Sequence, residues 1–378
     1  MIPTQEQQLI REAARKFAQE RLAPNSAQWE QQAAFPRAVI EEMGALGLMG
    51  MTVAIEWGGA GADNVAYSLA LQEIAAGDGA IATIVSGHNS VGVMPILTYG
   101  TEAQKRRYVR DLATGRKLSA FCLTEPQGGS DAAAIRTRAT RKGDRYVLNG
   151  TKQFITSGAT ADIALVIAIT DSAAGKRGMS AFIVDTKAPG YKVARIEKKM
   201  GQNASDTCEI HFDDLVVPVE DRLGEEGQGY RIALANLEGG RIGIASQSVG
   251  MARAALEIAV RYAHERQSFG KTIFEHQAVS FRLADMAASL EAAHQLTLHA
   301  ATLKDAGLPC LVEASMAKLF ASETAEKICS DAIQTLGGAG YMQDFAVERI
   351  YRGVRGAKIY EGTNDIQRLV ISRSLGPA

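Results

Sequence analysis

From Thr4 to about Lys117 apolar residues return every three to five positions, the spacing of helices with one buried face. Leu9, Ala13, Phe17 and Leu22 mark the first such face, and 39–48 and 65–76 continue the period. Thr101-Glu-Ala-Gln reads as a capping box that opens a further helix through Tyr108 and Leu112, closed by Gly115. Near Leu118 the period falls to two. Segments 136–141 and 145–148 flank the turn Lys142-Gly-Asp144, Asn149-Gly150 gives a second hairpin signal, and 164–170, 179–184, 192–196 and 207–212 read as short strands. Past Gly229 the helical period returns over 228–264, 275–305, 309–337 and a final pair near 345 and 365. The expectation is an α+β multi-domain chain: an all-helical domain at 1–117, an antiparallel β-barrel or sandwich at 118–224 and a four-helix bundle at 225–378.

Composition narrows the function. The 378 residues suffice for two or three domains, and 46% hydrophobic residues with only 9 prolines exclude a disordered chain. With 41 Lys+Arg against 42 Asp+Glu, nothing in the bulk charge favours nucleic acid or anionic lipid. Cys122, Cys208, Cys310 and Cys329 form no C-x-x-C pair and meet no histidine at zinc spacing, so they are expected to be reduced, buried and metal-free. Glu6, Glu12 and Glu20 distinguish the N-terminal segment from a secretory or transit leader, which implies a cytoplasmic protein. The stretch 79–101 carries no charged side chain except its terminal neighbours, but Gly87, His88, Asn89, Ser90, Gly92 and Pro95 make it a buried helix pair rather than a membrane span.

Several segments could carry chemistry. In Cys122-Leu-Thr-Glu-Pro-Gln-Gly-Gly-Ser-Asp131, paired glycines let main-chain N–H groups approach an anion, and Thr124 and Ser130 add hydroxyls; an ordinary loop after a strand is the competing reading. Phe154 and Thr156 could lay a ring against a flat cofactor and bond its edge, or belong to a core. Glu238 and Arg241 stand at i,i+3, as for an intrahelical ion pair, beside Gly239 and Gly240. A glycine costs about 1 kcal/mol in a helix interior, so something should pack close there. Arg266 could meet a phosphate, and Gln334-Thr-Leu-Gly-Gly-Ala-Gly340 is either a ligand loop or a helix stop. Glu361, after Ile359 and Tyr360, is either an exposed loop carboxylate or a base held out of water, with Thr363 and Asn364 as caps for a last helix.

In this order and on this layout, T-E-P-Q-G-G-S-D, F-I-T, E-G-G-R, R-Q-S-F-G, Q-T-L-G-G-A-G and Y-E-G-T resemble the acyl-CoA dehydrogenase family over essentially the whole chain. Each motif is a modest signal; six at the right spacing are specific. The resemblance implies FAD, extended between the β domain and the bundle. Main chain and hydroxyls from Phe121, Cys122, Leu123 and Thr124 through Gly128, Gly129 and Ser130 would hold the flavin edge and pyrophosphate. Phe154 would cover a flavin face beside Ile155, and Thr156 would bond near the reactive nitrogen; many members have Trp where this chain has Phe154. Arg266, Gln277, Gln334, Gly337 and Gly338 match positions that take the adenine and pyrophosphate half across a subunit contact. A homo-oligomer, expected to be a tetramer, is thereby implied. Thr363, Asn364 and Asp365 would close the site.

On the substrate side, Ser130, Glu238, Arg241 and Gly362 correspond to positions lining the thioester and pantetheine channel, although the family usually has Asp where this chain has Glu238. Glu361 matches the general base of the short- and medium-chain branches; relatives with the base elsewhere carry it just before the arginine, where this chain has Gly240. The activity implied is α,β-dehydrogenation of an acyl-CoA to the trans-2-enoyl-CoA in fatty-acid or amino-acid catabolism, with electrons passed to electron-transfer flavoprotein. The resemblance also implies that the helix pair 79–101 lines the acyl pocket; it has no Arg or Lys to meet a second substrate carboxylate, which favours a neutral short or branched acyl group. Two alternatives stand beside this. An acyl-CoA oxidase-like flavoenzyme would be reoxidised rapidly by air, and a flavin-free CoA-ester binding protein would stay colourless with FAD.

Overall fold

The computed structural model describes residues 2–376. Its helical first part comprises α1 (Gln5–Phe17), α2 (Ser26–Gln32), α3 (Arg37–Ala45), α4 (Asn64–Gly77), α5 (Gly79–Gly87), α6 (Met94–Tyr99) and α7 (Glu102–Ala113). Capping boxes start α1 at Thr4 and α7 at Thr101: each threonine accepts a bond from the third residue's N–H, and the glutamine there bonds back. The face of α1 differs from the expectation. Ala14, Phe17 and Leu22 are buried, whereas Leu9 and Ala13 are exposed. A π-helical turn over Ala18–Leu22 brings Leu22 back onto the packed side, so a constant 3.6-residue step misassigns the stripe.

The stretch 79–101 is likewise not a pair of helices. α5, a π-helical turn over His88–Val93 and α6 form one continuous path from Gly79 to Tyr99. It is long and apolar enough to cross a membrane by length and composition, but most of it is buried inside the protein. Two of its polar residues find partners there: Asn89 donates to Leu48 O and Val85 O at 3.1 and 3.0 Å, and His88 Nε2 lies 3.0 Å from Leu112 O.

The middle part is a sheet of β1 (Ser119–Cys122), β2 (Arg138–Lys142), β3 (Arg145–Thr156), β4 (Ile163–Ile169), β5 (Met179–Asp185), β6 (Tyr191–Ile196), β7 (Thr207–Pro218) and β8 (Arg222–Leu223). Its order is β6-β7-β3-β2-β4-β5-β8, with β1 on β4. Most pairs are antiparallel, as alternation suggested, but β1 joins β4 in parallel and the path ends at β6 and β8, so the sheet is mixed and unclosed. Asn149-Gly150 makes no hairpin. Gly150 lies inside β3 at a register shift against β7, where a Cβ would stand 2.7 Å from Thr137 Cα.

The last part contains α8 (Gly229–Glu265), a short hairpin of β9 (Gln267–Ser268) and β10 (Lys271–Thr272), α9 (Gln277–Asp305), α10 (Leu311–Leu336), α11 (Ala346–Val354) and α12 (Asn364–Ser374). α10 packs on α8, α9 and α12, while α4 of the first part packs on α8 and α9. Val65 and Leu69 thus share a core with Ile242, Ala245 and Val249. The four cysteines are free and buried.

Candidate active site

Gly240 lies in mid-helix because a carboxylate occupies the place of its side chain. A Cβ there would stand 2.7 Å from Glu361 Cδ and overlap Oε2. Glu361 sits in the turn before α12, where it and Gly362 are successive left-handed residues at φ +54° and +85°. That conformation is costly for a residue with a side chain and aims the carboxylate inward. Oε2 is buried without a hydrogen-bond partner, and the Glu361 N–H finds no acceptor among the described residues. Burial raises the carboxyl to about 7, with Lys318 and Arg241 pulling it the other way.

Arg241 is buried and donates to Ser315 Oγ at 3.3 Å, its Nε unpaired. The intrahelical pair with Glu238 does not form. Glu238 instead pairs with Lys304 at 3.5 Å and accepts from Cys310 Sγ at 3.2 Å. Sequence reasoning missed Lys318, which is 0% exposed and donates to Gly362 O and Asn364 Oδ1, both at 2.9 Å. Its signal was a lysine set in the buried small-residue stripe Ala314, Ala317, Ala321 and Ala325.

Three residues on from Gly240, α8 packs closely on α4 and α5. A Cβ on Gly243 would stand 3.1 Å from the Tyr67 hydroxyl, which is buried and unpartnered, as is Ser86 Oγ. One turn further, Gln247 donates to Gly79 O at 2.7 Å and Thr83 Oγ1 at 2.6 Å, and accepts from the Tyr360 hydroxyl at 2.9 Å. Gly240 and Gln247 are about 10 Å apart along the helix.

The loop after β1 is pinned to β3 by a buried ion pair that sequence reasoning also missed. Glu125 accepts from Lys152 Nζ at 2.8 Å and from the main-chain N–H groups of Arg136 and Thr137 at 2.6 and 3.0 Å. Lys152 also donates to Leu123 O at 3.0 Å. Burial alone would raise the Glu125 carboxyl, but Lys152 and the N–H donors hold it below its ordinary value. Cys122, Leu123 and Ile155 turn their side chains into the core, leaving only main chain for a ligand. The N–H and C=O of Gly128 are both spent on Glu125, so Gly129 is the open glycine of the pair, followed by the exposed Ser130. Phe154 is 60% exposed at φ +58°, beside a register shift in β3, with Phe121, Thr124 and Thr156 half-buried. A strained backbone that holds a phenyl ring out of the core, between two hydroxyl-bearing strand ends, fits the flavin expected there.

The other expected cofactor residues stand elsewhere. Arg266, Gln277, Gln334, Gly337 and Gly338 are exposed at the far end of the bundle, where Arg282 of α9 donates to Thr335 of α10 at 3.4 Å. From Gly240 to Arg266 along α8 is ~39 Å, so one chain does not bring them to Glu361. Thr363 caps α12, Asp365 faces solvent and pairs with Arg368 at 3.2 Å, and the Asn364 side chain is buried on Lys318, Ser322 and Glu323. Asn364 therefore supports the Glu361 turn and does not present its amide to a ligand.

Family comparisons cover all three parts. The models for the acyl-CoA dehydrogenase N-terminal, middle and C-terminal domains match residues 4–116, 120–215 and 227–376. An acyl-CoA dehydrogenase of Bacillus subtilis (strain 168) is 50% identical over 372 residues, 98% of each chain. Among solved structures, a chain from the study of the electron transferring flavoprotein of Acidaminococcus fermentans superposes with TM-score 0.99 at 43% identity, each chain covered fully. Butyryl-CoA dehydrogenase from Megasphaera elsdenii superposes with TM-score 0.97 at 41% identity, 99% of each chain covered.

Proposed function

The chain belongs to the acyl-CoA dehydrogenase family, and from that premise we propose that it oxidises a short, neutral acyl-CoA to the trans-2-enoyl-CoA, with FAD as cofactor and electron-transfer flavoprotein as electron acceptor. The observation that carries this reading is the inward-turned Glu361, whose buried, unpartnered carboxylate oxygen lies against Gly240 and whose N–H has no acceptor among the described residues.

The chemistry follows from what those groups can do. An α-proton of a thioester becomes removable only when its carbonyl oxygen is polarised, and the Glu361 N–H, which has no acceptor among the described residues, is free to do so. A carboxylate whose pKa lies near 7 is matched to accept that proton at neutral pH, better than one near 4. The β-hydride would pass to FAD held beside Phe154 and Thr156, and the resemblance implies that a hydroxyl of the cofactor would be the second donor to the carbonyl. Phe154 and Thr156 would flank its ring, and Arg241 would face the thioester end of the channel.

Chain length is set by the floor of the slot. With Gln247, Thr83 and Tyr360 bonded together about 10 Å beyond Gly240, an acyl chain of about four carbons fits more readily than a long one. The likeness to a butyryl-CoA dehydrogenase supports this, and the likeness to a chain studied with an electron transferring flavoprotein supports that acceptor. The ~39 Å between Glu361's slot and the Arg266 end supports FAD sites shared between subunits, in a homotetramer. A cytoplasmic location stays part of the proposal.

Anaerobic titration of FAD-loaded protein with straight and branched acyl-CoAs tests the reading. Bleaching of the flavin by butyryl-CoA, weaker with long chains, is expected. No bleaching by any acyl-CoA would overturn it, and rapid reoxidation in air would favour the oxidase.

A further inference from the structure

We propose that Lys318 is a positioning residue for the dehydrogenation: its buried ammonium holds the left-handed turn that carries the Glu361 carboxylate and N–H, and its charge offsets that of the carboxylate. The proposal rests on the dehydrogenase reading of the same site.

The argument starts from how unusual the side chain is. A lysine that is 0% exposed normally faces a carboxylate, but among the described residues Lys318 makes no ion pair. All the acceptors it has are Gly362 O and Asn364 Oδ1, at 2.9 Å each. Both belong to the Glu361 turn. Gly362 O also accepts from Gln367 Nε2 at 2.8 Å, so the carbonyl that follows the base is gripped by two buried donors. Two successive residues at positive φ do not hold that shape unaided, and the fold supplies the grip from α10 and α12. Asn364 Nδ2 in turn donates to Ser322 Oγ and Glu323 Oε1 at 3.0 and 2.9 Å, which turns its oxygen to the ammonium at 2.9 Å, with Ser322 Oγ at 3.2 Å.

Charge is the second half. The groups facing Glu361 are Arg241 from α8, Lys318 from α10, the Tyr67 hydroxyl from α4 and its own neighbour Tyr360. Those acting on Lys318 are Glu361, Arg241 and Glu323. Burial lowers the ammonium to about 7 and raises the carboxyl to about 7, and each group opposes the shift that burial imposes on the other. Without the ammonium, the carboxylate would keep its proton to higher pH and serve less well as a base.

Three variants separate grip from charge: Lys318→Met removes both, Lys318→Gln keeps one donor without charge, and Lys318→Arg keeps charge in a larger group. Each is purified with FAD, and kcat, KM and the pH profile of kcat/KM are measured with butyryl-CoA, with Lys327→Met, an exposed lysine of the same helix, as control. Expected are normal flavin content, a kcat lower by on the order of tenfold or more in Met and Gln, a KM changed much less, and an ascending limb moved up by roughly one pH unit in both. Lys318→Gln should recover part of the kcat of Lys318→Met but not its pH limb, and Lys318→Arg should restore the limb. A pH limb superimposable on that of the unmodified enzyme in both Met and Gln, with only thermal stability reduced, would overturn the proposal. Should Lys318→Met fail to fold, the limb of Lys318→Gln decides. If the unmodified enzyme is not bleached by any acyl-CoA, the dehydrogenase reading itself fails, a result distinct from either.

Discussion

Replacing Gly240 by alanine adds one methyl group, and the structure says where it goes. The new Cβ would stand 2.7 Å from Glu361 Cδ, against an ordinary carbon–carbon separation of about 3.5–4.0 Å. Oε2 would stand closer still, so the carboxyl must withdraw by at least ~1 Å. Because the obstacle is the end of a side chain and not backbone, the cost falls on the position of the carboxylate more than on folding. Alanine even improves helix propensity by about 1 kcal/mol at this position, which offsets part of the strain. A 1 Å misplacement of a reacting group costs on the order of 100-fold in rate. The assay is steady-state turnover of butyryl-CoA with an artificial electron acceptor, alongside flavin content and thermal unfolding. Expected are unchanged FAD content, a melting temperature within a few degrees of the unmodified protein, and kcat down about 100-fold. Turnover within threefold of the unmodified enzyme would refute the placement of Glu361 as the base.

Further outcomes can be checked on the same preparation. Glu361→Gln should keep its yellow colour and its acyl-CoA binding while losing bleaching, read by anaerobic spectrophotometry. In the unmodified enzyme kcat/KM should rise with pH through about 7, because the carboxyl is protonated and inactive as a base below that value; a limb near pH 4 would contradict the burial of Glu361. Glu125→Gln leaves the buried Lys152 without its counter-charge and should destabilise the protein by about 3–5 kcal/mol with loss of retained FAD, seen in denaturant unfolding and flavin content. Gln247→Ala removes the bonds to Gly79, Thr83 and Tyr360 and should shift the preferred substrate to longer acyl chains in a series of acyl-CoA assays.

What could be read from residue order alone was the sequence of periods. The change from a three-to-four-residue repeat to a two-residue repeat near Leu118, and back past Gly229, marked helices, sheet and helices, because side-chain direction repeats with the backbone. Gly239 and Gly240 in a helix interior signalled a close approach, and Glu361 between an aromatic residue and a glycine stood out as a lone acid. The π-helical turns at Ala18–Leu22 and His88–Val93 were not legible, since they change the pitch without changing composition. Nor was the role of Gly150, where asparagine-glycine suggests a hairpin and a continuing strand overrides it.

The sequence by itself determined the order of helical, strand-rich and helical regions and which acid is singled out, since those follow from short-range pattern. Only the tertiary structure decided what surrounds that acid. It set Glu361 against Gly240 across 121 positions, gripped its turn with Lys318, diverted Glu238 to Lys304 and Cys310, buried Asn364 in the scaffold, and sent Arg266 and Gln334 to the opposite end of the bundle. Distance along a chain carries no information about such contacts. They arise when long helices pack side by side, and burial then converts ordinary acids and bases into groups that exchange protons near neutral pH.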